Sequence, residues 1–147
     1  MASFKFRLQS YLNLKEQLEK SIKNELGVAL QEYQRQLSIL SDIQNEIENQ
    51  REEHRGEVMS KTTPTKLKLR LNYLKAMQTK EREQQARVNE HKRNVDKIRE
   101  RLVEIMKEKK ILEKLRDKQK EAFQIEQKKK QQLLIDELVS FRGATGG

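Results

Sequence analysis

Cysteine and tryptophan are missing from this 147-residue chain, and proline occurs once, at Pro64. Without cysteine there is neither a disulfide framework nor a thiolate metal site, which favours a reducing compartment. Aromatic residues make up 5% and hydrophobic residues 34% of the chain, below the roughly 45–50% apolar content of ordinary globular domains. A large central core is therefore excluded. The opening MASFKFRLQSYLNL has no uninterrupted apolar segment, so no secretory signal is expected. No apolar run approaches the roughly 20 residues that span a bilayer. These absences point to a cytosolic protein.

What remains is charge, at 37% of residues with a net +9, and strong helix formers (Glu, Lys, Gln, Arg and Leu). High charge with little apolar content also describes disorder, but here the apolar residues are regularly spaced. From Leu8 they run Tyr11, Leu14 (or Lys15), Leu18, Ile22, Leu26, Ala29, Tyr33, Leu37 (or Gln36), Leu40, Ile43 and Ile47, the threes and fours of a helical seam. The steps of four through Leu18, Ile22 and Leu26 predict a stutter, a local unwinding of the supercoil. Gly27 beside it reads either as a point of close helix approach or as a weak spot costing about 1 kcal/mol relative to Ala. The pattern fades after Ile47, and Gly56 is a candidate terminator.

SKTTPTK follows, and Thr63-Pro64 is a start signal. Threonine caps a helix N-terminus well, and proline at the first helical position has a preset φ and lacks an amide that would have no partner there. A second seam then reads Leu67, Leu71, Leu74, Gln78, Glu81, Gln85, Val88, Val95, Ile98, Leu102, Ile105, Lys109 and Leu112. Its phase slips between Val88 and Ile98, and polar residues weaken it around Gln78 to Gln85.

The expected fold is all-α: two long helices in an antiparallel coiled-coil hairpin, with the turn near Lys61–Pro64. The hairpin spans 1–142 as one domain, with helix one at about 4–58, helix two at about 64–141 and a flexible tail at 143–147. In this register residue i faces roughly residue 124 minus i, so Phe6 lies near Lys118 and the rest of helix two overhangs. Charge favours the fold-back: residues 1–60 carry 8 basic and 10 acidic side chains, residues 61–147 carry 24 and 13. Opposite-leaning helices pair with each other rather than with themselves.

Signatures of catalysis are missing: there is no phosphate-binding loop, dinucleotide fingerprint, H-E-x-x-H or nucleophile elbow. His54 and His91 read as solvated surface residues that do not meet as a metal pair. No enzyme, cofactor or metal site is expected. The stretches KEKKILEKLRDKQK and QKKKQQ could contact phosphates. Interleaved acids and the lack of an aromatic stacking set make a solvated helical face the preferred reading.

Two apolar features do not fit the seam. Leu69, Tyr73 and Met77 form a stripe near the turn, close to Leu40, Ile43 and Ile47. It is either a widened core or an exposed docking patch. At the open end, Phe4, Phe6 and Leu8 accompany Phe123, Ile125, Leu133, Leu134, Leu138 and Phe141. Helix one is too short to cover that overhang, so it reads as a partner site.

The segments FKFRLQSYLNLKEQLEKSIKNELG, LNYLKAM and KEKKILEKLRDKQKEAFQIEQKKKQQLLIDEL together resemble the FliJ family of the bacterial flagellar export apparatus, over nearly the whole chain. The resemblance implies a non-enzymatic antiparallel two-helix coiled coil, similar in architecture to the central stalk of rotary ATP synthases. It implies binding of the export ATPase FliI at the open end, of the membrane gate protein FlhA near the turn, and of late-substrate export chaperones. The family's gate-binding residues correspond here to Gln36, Leu40, Ile43, Ile47, Tyr73 and Met77, and the stripe adds Leu69. Tyr73 replaces a frequent Phe, and Lys80 and Gln84 depart from the family's small residue and histidine. The implied location is cytoplasmic and peripheral at the membrane, reached only through protein partners, with no nucleic acid expected. The rival readings are a nucleic-acid-associated coiled coil and a parallel homodimer broken in the middle.

Overall fold

A computed structural model describes residues 2–60 and 62–145. Helix α1 (Gln9–Met59) and helix α2 (Pro64–Thr145) pack against each other as an antiparallel hairpin, with no strand among the described residues. The start of α2 follows from its cap. The Lys66 amide donates to Thr63 Oγ1 at 3.4 Å, the Leu67 amide to the Thr63 carbonyl at 3.2 Å, and Pro64 is the first helical residue. Lys61, in the expected turn, lies outside the described residues.

Gly56 does not end α1. It sits inside the helix without a left-handed backbone, and the Ser60 amide still bonds to its carbonyl at 3.1 Å. A Cβ at Gly27 would meet nothing within 4 Å, so that glycine serves no close approach. The first helix begins at Gln9 rather than near residue 4, and α2 continues to Thr145. Of the tail expected at 143–147, residues 146–147 lie outside the described residues.

Among the described residues the ion pairs and hydrogen bonds that cross from α1 to α2 fall within about one helical turn of the expected register: Gln36 meets Gln84, Glu25 meets Arg101 and Glu19 meets Lys109. The phase within each helix differs from the sequence reading. Along α1 the series Leu12, Lys15, Glu19, Ile22, Leu26, Ala29, Tyr33, Gln36, Leu40, Ile43, Ile47, Gln50, His54 and Glu57 is buried or half-buried throughout. Its steps alternate three and four without a break, so there is no stutter. Tyr11, Leu14 and Leu18, expected in the seam, are exposed.

On α2 the same alternation runs Leu67, Arg70, Leu74, Met77, Glu81, Gln84, Val88, His91, Val95, Ile98, Leu102, Ile105, Lys109, Leu112 and Arg116. Arg70, Met77 and Gln84 therefore replace Leu71, Gln78 and Gln85, and His91 removes the supposed slip. Both histidines occupy half-buried seam positions rather than solvated ones. The physical reason is that a supercoiled pair keeps a strict 3.5-residue repeat. Long polar side chains can bury their stems in that seam while their heads find partners.

The chain divides into two compact units, Ser21–Leu102 and Met1–Lys20 with Val103–Gly147. The first of these packs Ile43, Ile47, Leu74 and Met77 together, with Ile39 against them. Farther from the turn, Gln84 Nε2 donates to Gln36 Oε1 at 2.7 Å and to the Gln36 carbonyl at 3.0 Å. Gln36 in turn donates to Glu32, whose carboxylate also accepts two bonds from Arg35. Arg35 first, and Gln36 second, hold the Glu32 pKa down at about 2. Near the turn Arg70 forks onto Glu57, with its remaining amine on Gln50 and Glu53, all within 2.9 Å.

Two outcomes follow for stability. Gln84→Ala leaves Gln36 Oε1 buried without its donor and lowers the urea-unfolding free energy by about 1–3 kcal/mol, whereas pairing Gln36→Leu with Gln84→Leu is neutral or stabilising. A double variant as unstable as the single one would rule out the hydrogen bond as what is lost. For Glu32 the folded-state pKa lies below the ordinary value of 4.5, so its contribution is complete above that pH and disappears as pH falls towards about 2. Glu32→Gln should flatten this acid limb in melting temperatures recorded by circular dichroism; an unchanged limb would assign it to other carboxylates.

Candidate interaction surfaces

At the open end, residues 2–8 are not helical, which corrects the expectation that Phe4 and Phe6 ride on helix one. The segment folds over the coil. Phe6 is buried with Leu12 and Leu112, and Phe4 packs against that cluster. The Phe4 and Phe123 rings are tilted at 49° with centroids 5.8 Å apart, a favourable aromatic geometry. The Gln9 amide donates to the Phe6 carbonyl at 3.1 Å, tying the segment to the first turn of α1. The expected open-end residues thus separate into three roles. Phe6 is core, Phe4 and Phe123 form a half-buried clasp, and Leu8 stays exposed.

Two ion pairs cross this unit at seam height, Lys15 to Glu108 at 2.5 Å and Lys109 to Glu19 at 2.8 Å. Both lysine pKa values are raised, chiefly by the carboxylate each one touches. Past Gln127 every described side chain of α2 is exposed through Ala144. Ile125 is exposed just before this stretch, and Leu133, Leu134, Leu138 and Phe141 lie exposed along it. So do Ile135 and Val139, which the seam reading passed over; the signal was the run LLIDELV, too apolar for a helix with water on all sides.

Near the turn, the expected stripe splits. Met77 joins Ile43, Ile47 and Leu74 in the core, Leu40 is buried, and Gln36 is occupied by Gln84. Leu69 and Tyr73 remain exposed and border a shallow groove with Gln50, Glu57, Lys66 and Arg70. Leu71 is exposed as well; it was missed because its spacing matched the seam that Arg70 fills. Among the described residues no group of three or more His, Asp or Glu side chains could hold a metal ion, and no helix is long and apolar enough to cross a membrane.

Because Phe6 anchors the N-terminal segment, Phe6→Ala should remove about 3–5 kcal/mol of local closure. Hydrogen exchange should then speed up at the Gln9 and Leu12 amides and stay unchanged around Ile43 and Ile47. Equal acceleration at both places would mean that the segment is integral to the whole fold.

Comparison with curated proteins and with solved structures gives no match. A family model described as "Flagellar FliJ protein" matches residues 4–147. The clasped N-terminal segment, both helices and the exposed end of α2 all fall inside that match, and the chain belongs to the FliJ family, as a component of the flagellar export apparatus.

Proposed function

We propose that this chain works as a docking protein without catalysis of its own, on the cytoplasmic side of the membrane and attached there only through protein partners. In this reading the open-end unit engages the export ATPase FliI, the turn unit engages the export gate FlhA, and late-substrate export chaperones are further partners. The observation that carries it is the exposed row Leu133, Leu134, Ile135, Leu138 and Val139 at the end of α2. Each such side chain gains roughly 1.5–3 kcal/mol when fully buried. A helix presenting apolar anchors ringed by charge suits helix-in-groove binding.

For the gate, the side chains available on the surface are Leu69 and Tyr73 beside the Arg70 groove. Gln36, Leu40, Ile43, Ile47 and Met77 are buried, so their role is to hold α2 in the phase that turns Leu69 and Tyr73 outward. Partner binding at the two units then rests on different side chains and can be separated by mutation.

Steady-state ATP hydrolysis by the purified cognate export ATPase, with and without this chain, tests the reading. A rise is expected, and Leu134→Asp should abolish it with the helical circular dichroism intact, since Leu134 is exposed. Tyr73→Ala should weaken FlhA binding while sparing the ATPase effect. An unchanged rate, with duplex DNA binding that falls steeply with salt, would replace this reading with a nucleic-acid one.

A further inference from the structure

We infer that the open-end unit carries a second docking face, a groove along one flank of the coil that takes an acidic amphipathic helix from a partner protein. This goes beyond the ATPase and gate reading and uses none of its residues. The face is built from two stripes. On α1, Tyr11, Leu14 and Leu18 follow each other at steps of three and four, one residue out of phase with the seam at Leu12, Lys15 and Glu19. On α2, Glu108, Ile111 and Leu115 share one side by the same spacing. Lys15 joins the stripes: its Nζ lies 5.0 Å from the Tyr11 ring centroid and 2.5 Å from Glu108 Oε2.

Tyr11 is 49% exposed, Leu14 47% and Ile111 66%, although none is needed to hold α1 to α2. A two-stranded coil requires only its narrow seam to be apolar. A broader arc, with a second stripe beside the seam, is the pattern of helices that meet more than one neighbour. Both helices broaden on the same flank and at the same level. Ridges of a third helix would seat in the groove between them, as in ordinary helix packing.

The rim selects the partner's charge. Lys107, Lys114 and Lys118 border Ile111 and Leu115 by helical spacing, all exposed. No carboxylate pairs with any of the three among the described residues. Lys114 and Lys118 stand four residues apart, where like charges repel along a helix; a partner's carboxylates would relieve that. On the α1 side the bordering residues are uncharged Ser10 and Gln17. Of the two acids on this side, Glu104 and Glu108, Glu108 is already held by Lys15, so the three lysines outnumber the carboxylate left to them. A second copy seated through this same face would bring lysines onto lysines, so the occupant is a different protein.

Fluorescence anisotropy can measure the full chain against a labelled three-heptad peptide with leucine at its seam positions and glutamate on its flanks. A matched peptide carrying lysine for glutamate is the control. The acidic peptide should bind at least about tenfold tighter than the basic one, and Leu14→Gln combined with Ile111→Gln should weaken it by about tenfold or more. Leu134→Asp should leave peptide binding unchanged, and the Leu14→Gln, Ile111→Gln variant should still stimulate the export ATPase, so this proposal and the ATPase reading fail separately. Equal binding of the two peptides, or indifference to the double substitution, overturns the inference. So does a dimer in sedimentation, or flotation with phosphatidylglycerol vesicles, that the same double substitution abolishes.

Discussion

The unbroken alternation of three- and four-residue steps is the constraint on which the rest of this protein depends. Two helices can stay in contact over many turns only if each returns a side chain to the interface every 3.5 residues on average. That requirement outranks the chemical preference of individual side chains. It places Lys15, Glu19, Gln36, Arg70 and Gln84 in the interface and leaves Tyr11, Leu14, Leu18 and Leu71 outside it. Gln36 and Gln84 bond each other, Arg70 forks onto Glu57, and Lys15 and Glu19 reach Glu108 and Lys109.

Magnitudes separate the work of the two kinds of seam residue. Exposed ion pairs contribute about 0.2–1 kcal/mol, while a buried leucine or isoleucine contributes roughly 1.5–3 kcal/mol. Stability therefore comes from Leu12, Ile22, Leu40, Ile43, Ile47, Val88, Val95, Ile98 and Leu112. The polar pairs act mainly on alignment, because a register shift would leave Gln36 or Arg70 buried without a partner. A shift would also move every surface residue on α2 relative to α1. The same exchange that brings polar groups inward leaves apolar side chains exposed on the surface.

Much of the fold was legible because its signals are local. Thr63-Pro64 marks a helix start by backbone chemistry alone, and the helical period of the apolar residues survives the high charge content. The opposite charge lean of the two halves pointed to an antiparallel partner within the chain, and the cross-coil pairs follow the expected register. The exposed end of α2 was also readable, because α1 has too few residues to cover it. The phase of each seam was not readable in the same way. Leu14 and Lys15, or Leu71 and Arg70, are neighbours in sequence that satisfy the same spacing within one residue; hydropathy left the first pair open and chose the leucine in the second. Phe4 and Phe6 looked like helical anchors because their spacing says nothing about whether the backbone beneath them is helical.

The sequence by itself determined that this protein is a pair of long helices, where the second begins and which residues oppose each other. Those properties follow from capping, helical period and charge, which act over a few residues or over whole segments. Only the tertiary structure decided which of two adjacent residues faces inward, and with it the division of the apolar side chains between core and surface. That choice depends on what stands opposite: Arg70 enters the seam because Glu57, Glu53 and Gln50 meet it there, and Gln84 because Gln36 does. Partnership across the coil, rather than the hydropathy of one strand, sets the phase.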